Sequence, residues 1–113
     1  MKQEEKDDVL QVIESLKYFN KQYRDAYYDF KNGKNAKIRK EGSRVMENAS
    51  GMIDYWLKSN EIVLKIASGG EKPEGFDRRG YFISVFSKYN LEKEIKDIIK
   101  KLEELLSDDT TEL

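Results

Sequence analysis

Side-by-side carboxylates are the residues whose type and spacing come nearest to chemistry. Asp7-Asp8, Glu103-Glu104 and Asp108-Asp109 are adjacent pairs, and Asp25 and Asp29 stand one helical turn apart. Such pairs support general acid–base work only where burial moves a carboxyl pKa toward a useful range. All of them fall near helix ends or on the polar side of amphipathic patterns, which predicts solvated faces. Metal sites in helical bundles add Glu-x-x-His steps, and the chain has no His and no Cys. That removes thiolate nucleophiles and ligands, disulfides, and the commonest general base and metal ligand. Ser15, Ser43, Ser50 and Ser59 have no imidazole to activate them. The stretch GGEKPEG (69–75) has a phosphate loop's glycines but not its G-x-x-x-x-G-K-[ST] order. The sequence predicts no enzyme, no catalytic residue, no cofactor and no metal.

Binding is the remaining chemistry. Residues 31–44, KNGKNAKIRKEGSR, set Lys31, Lys34, Lys37, Arg39, Lys40 and Arg44 against Glu41 alone, and Arg78-Arg79 are expected to extend this basic patch. Phosphate contact needs only such a cluster. Specific readout needs a recognition helix or stacking aromatics, and the neighbouring Tyr27 and Phe30 fall on an apolar stripe. A solvated turn whose cations suit a helix C-terminus leads, ahead of an acidic protein partner and nucleic acid, which rank equally. Tyr18, Tyr28 and Tyr55 lie well off the centres of their stripes, as does Leu10. Tyr is favoured at protein contact surfaces, so these three tyrosines are candidate partner-binding residues.

The elements that position these groups follow from periodicity. Val9, Ile13, Leu16, Asn20, Tyr23, Tyr27 and Phe30 recur at helical steps, with Val12, Phe19 and Ala26 widening the stripe. They predict a first helix over about residues 5–31, with Asn32-Gly33 as a left-handed C-cap. Asn35 caps a predicted second long helix that runs to Ser68-Gly69-Gly70. Its stripe is Ile38, Gly42, Val45, Ala49, Met52, Trp56 and Val63, flanked by Met46, Ile53 and Leu64, with a break near Ser59-Asn60 as the variant. Small residues at its centre, Gly42 and Ala49, predict close approach of the bulky first helix; a kink at Ser50-Gly51 is the other explanation. The second half of this helix is apolar on two sides, with Tyr55, Ile62 and Ile66 forming the extra face. The C-terminal segment or a second copy of the chain must cover it, and a homodimer with these three residues at its contact is expected. Asn90 starts a last helix through Leu91, Ile95, Ile98, Leu102 and Leu105. Residues 68–80 read as a loop, with four glycines and the single proline. Residues 80–89 fit a short helix, or a strand that pairs with 61–67 as a small hairpin.

The fold class expected is all-α: an antiparallel bundle of three long helices and one short one, with the α+β hairpin form as the alternative. At 113 residues, with 38 % apolar and 38 % charged side chains and thirteen aromatics, the chain is read as one globular domain over 1–113. Residues 107–113, acidic and without a base, are read as a disordered tail. No apolar run is long enough to span a bilayer, and no leader precedes the acidic start, so a cytoplasmic protein without membrane contact is expected. The Lys/Asn/Glu/Ile-rich vocabulary is associated with an AT-rich genome, and a phage or mobile element is the source expected. The function expected is non-enzymatic: an adaptor, inhibitor or small subunit presenting a helical face to a partner protein. The alternative is a nucleic-acid-associated module using residues 31–44.

Overall fold

The computed structural model describes residues 1–70, 80–82 and 90–111, with side chains to Asp108. It is all-α: α1 (Gln3–Asn32), α2 (Ala36–Lys58), α3 (Glu61–Ala67) and α4 (Leu91–Thr111). Among the described residues there is no strand, and 61–67, one half of the hairpin alternative, is helix α3. Residues 81–82 are helical, and 83–89 lie outside the described residues.

The second predicted helix is two helices, with the break at Ser59-Asn60. The Ser59 hydroxyl and N–H both donate to the Trp56 carbonyl, at 2.7 and 3.3 Å, and close α2. Asn60 Oδ1 then accepts from the N–H groups of Ile62 and Val63, at 2.8 and 3.3 Å, and opens α3. Two side chains thus satisfy the orphan groups of two helix ends. The start of α2 matches the sequence, with Asn35 Oδ1 accepting from Ile38 N–H at 2.9 Å.

The α1 C-terminus departs from the expected left-handed cap. Gly33 sits at φ −57°, because the connection is only residues 33–35 and leads straight into the Asn35 cap. Glycine is needed there for space: a Cβ would lie 2.6 Å from the Asp29 carbonyl and 2.8 Å from Ile38 Cγ2. The last helix extends to Thr111, into the stretch read as a tail. Leu106 packs against the core and holds the helix in register that far.

The core gathers Val9, Leu16, Ile53, Leu57, Val63, Phe82, Ile95 and Leu102, all nearly inaccessible. On α2 the buried line is Gly42, Ala49, Ile53 and Leu57, rotated from the expected one. Met52 and Trp56 are only half-buried, and Leu57 replaces them at the centre. The rotation has a cause: α2 faces α1 on one side and, toward its C-terminal end, Phe82 on the other. The close approach expected at Gly42 is present, since a Cβ there would lie 2.8 Å from both Ala26 O and Phe30 N. Gly51, by contrast, has no neighbour within reach of a Cβ among the described residues, and α2 runs unbroken across it.

Helix lengths leave one part of this bundle thin. α4 starts beside Asn20, whose Nδ2 donates to the Glu92 carbonyl at 3.2 Å. It then runs back toward the α1 N-terminus, with Glu103 3.7 Å from Lys17. At about 1.5 Å per residue, its length brings its last turns to the first turns of α1. Beyond Tyr23, α1 is therefore covered, among the described residues, only by α2. The two form an arm that lengthens the molecule to 55 × 29 × 20 Å.

Candidate functional site

The carboxylates considered for catalysis are on the surface. Asp7, Asp8, Asp25, Asp29, Glu103, Glu104 and Asp108 are all exposed, and no group of three or more Asp or Glu among the described residues is placed to hold a metal ion. The hydroxyls of Ser15, Ser50 and Ser59 donate to carbonyls of their own helices, which occupies them locally.

The one buried carboxylate among the described residues is Asp54, which sequence patterning passed over. Its Oδ2 accepts from Gly80 N–H at 3.0 Å and lies 3.0 Å from Lys58 Nζ, and its Oδ1 accepts from Phe82 N–H at 2.8 Å. Gly80 adopts φ 77°, a left-handed conformation that favours glycine. Asp54 therefore caps the helical turn at 81–82 from across the fold and seats Phe82 in the core. An Asp one step behind Ile53 on an amphipathic helix gives only a weak sign of this, because its partners lie 26 and 28 residues away.

The basic stretch forms the end of the α1–α2 arm. Lys31, Lys34, Lys37, Arg39, Lys40 and Arg44 are all exposed. Arg44 pairs with Glu41; their hydrogen bond holds the carboxyl below its ordinary range and pushes the guanidinium up. Arg39 donates to the Gly33 carbonyl at 2.9 Å and braces the turn. Lys31 Nζ stands 5.2 Å from the Tyr27 ring centre, a cation–π distance. Tyr27 in turn lies parallel to Tyr23 at 6.5 Å. Lys34, Lys37 and Lys40 have no carboxylate partner among the described residues. Arg78 and Arg79, expected to join the patch, lie outside the described residues.

Two apolar side chains share this end. Phe30 and Ile38 fall on the core stripes by spacing, yet they are 44 % and 39 % exposed. They flank the turn, Ile38 against Gly33 and Phe30 against Gly42, where α4 no longer covers the stripe. Sequence periodicity carries the stripe to the end of each helix and cannot show where the covering helix stops.

The other candidates are scattered. Tyr18, Tyr28 and Tyr55 are exposed as expected; the Tyr18 ring stands edge-on to Phe19 at 5.0 Å, and Tyr55 edge-on to Trp56 at 5.4 Å. Ile62 and Ile66 are half-buried against the chain's own core, so much of their apolar surface is already covered within one chain. No helix among the described residues is long and apolar enough to cross a membrane. No protein-family model matches the chain, and no curated protein or solved structure matches it either.

Proposed function

We propose that the protein is a non-enzymatic binding module, an adaptor, inhibitor or small subunit, that engages a partner protein through the end of the α1–α2 arm. The observation that supports this is the pairing of exposed Phe30 and Ile38 with the surrounding cations. Apolar anchors inside a charged rim are how protein contacts divide affinity from orientation. The sign of the rim selects an acidic partner surface.

The test is capture of a partner by the immobilised wild-type chain, compared with a Phe30→Ser/Ile38→Ser double variant. Both positions are exposed, so the variant should keep its melting temperature while losing the partner. A partner retained equally by both proteins would remove the arm from the reading. The second reading, nucleic-acid contact, is favoured by Lys34, Lys37 and Lys40 standing without carboxylate partners among the described residues. It requires a salt-dependent shift on single- or double-stranded DNA or RNA that Lys34→Glu/Lys37→Glu abolishes and Phe30→Ser leaves in place.

A further inference from the structure

The outward side of α1, away from both α2 and α4, carries Leu10, Tyr18 and Tyr28 at 47 %, 58 % and 67 % exposure. These are three of the seven exposed large apolar residues of the chain's described part. Leu10 and Tyr28 are separated by about five whole helical turns and so point in one direction. Tyr18 lies almost midway between them and within about 80° of the same line. The row is therefore nearly symmetric about Tyr18.

Charge along α1 has the matching antisymmetry. Residues 3–14 carry five acids and one base, whereas residues 17–31 carry four bases and two acids. Turning a second α1 end over end opposes the helix dipoles and brings Glu14, near the middle of the outward face, toward the half of the second copy that carries Lys21. The same operation places Leu10 beside Tyr28 of the second copy and Tyr18 beside its own counterpart. It also brings Glu14 near Lys21 of the second copy, and both residues lack ionic partners among the described residues. Lys17, close to the axis, is already compensated by Glu103.

We infer that the outer face of α1 binds a second copy of this chain, antiparallel, about a two-fold axis near Tyr18. A contact of this kind is isologous: each patch meets its own copy, and every pair occurs twice. It leaves the two arm ends pointing away from each other and uncovered, so it is independent of the partner contact proposed above.

The chain has no Cys, which makes engineered thiols clean reporters. Under mild oxidation, Tyr18→Cys should cross-link to itself. Leu10→Cys should cross-link poorly alone but efficiently when mixed with Tyr28→Cys. Light scattering at micromolar concentration should give the mass of two chains for the wild type. Tyr18→Asp should raise the dimer dissociation constant by about a hundred-fold or more, since it buries like charges at the axis, with an unchanged melting profile. E14K and K21E should each be monomeric alone and associate on mixing, because the opposed changes restore both pairs. A wild-type mass of one chain would overturn the inference. A dimer that survives Tyr18→Asp, or shows no Tyr18→Cys cross-link, would overturn this face. Phe30→Ser/Ile38→Ser should dimerise normally while losing the partner, which separates failure of this contact from failure of the arm.

Discussion

Asp54 presents one carboxylate to three donors, the N–H groups of Gly80 and Phe82 and the Lys58 ammonium. Removing it takes this carboxylate away from all three in a nearly closed site. Asp54→Ala should therefore lower stability by about 2–5 kcal/mol in urea unfolding. Asp54→Asn, which keeps one acceptor oxygen, should cost less; an alanine variant as stable as the wild type would show that the cap is dispensable. Tyr23 acts at the opposite end of the pH scale. Burial, and then the neighbouring Tyr27, raises its phenol above the ordinary 10.0. The fold thus favours the neutral phenol, so its stability contribution is complete below that value and is lost as pH rises through the raised pKa. Melting curves should show Tyr23→Phe losing less stability than the wild type between neutral pH and the range above 10.0. Equal losses would remove Tyr23 from the alkaline response. The burial of Tyr23 was legible from its place on the α1 stripe, whereas Asp54 reveals its burial only when distant residues close over it.

At the scale of elements, α2 holds two glycines with opposite meanings. A Cβ on Gly42 would meet the backbone of α1, which cannot swing aside as a side chain can. Gly42→Ala should cost about 1–3 kcal/mol, overpacking outweighing the gain in helix propensity. Gly51 meets nothing among the described residues, so Gly51→Ala should add up to about 1 kcal/mol. Paired thermal melts decide the matter, and two shifts of the same sign would contradict the geometry. Helix existence, the Asn35 cap and the Gly42 contact were all readable from spacing and residue size. The end of α2 was readable only as a variant, because apolar periodicity continues from Leu57 into Val63 across the break. The exchange of Trp56 for Leu57 at the core's centre was not readable. Which flank of a broad stripe faces inward depends on the second neighbour, here Phe82, and no local pattern contains it.

The whole molecule is longer than its chain length requires. Its radius of gyration is 15.4 Å, against about 13 Å for a compact domain of this size. The excess follows from the arm, where α1 and α2 continue past the start of α4. Sequence reading supplied all the helices concerned but not their relative offset, which is fixed by single long-range contacts such as Asn20 with Glu92. The arm also divides α1 energetically, although no residue in it interrupts the helix. From Val9 to Tyr23 its amides are shielded by a core that opens only with the whole fold. Among the described residues of one chain, those from Tyr27 to Asn32 are held by α2 and a three-residue turn, a much smaller cooperative unit. Hydrogen exchange should therefore slow sharply within this one continuous helix, with amides of 27–32 exchanging orders of magnitude faster than those of 12–20. Uniform protection along α1 would mean that the arm opens only with the body. A gradient would mean that the segment offered to a partner is the part of the chain that can loosen and re-form without unfolding the rest.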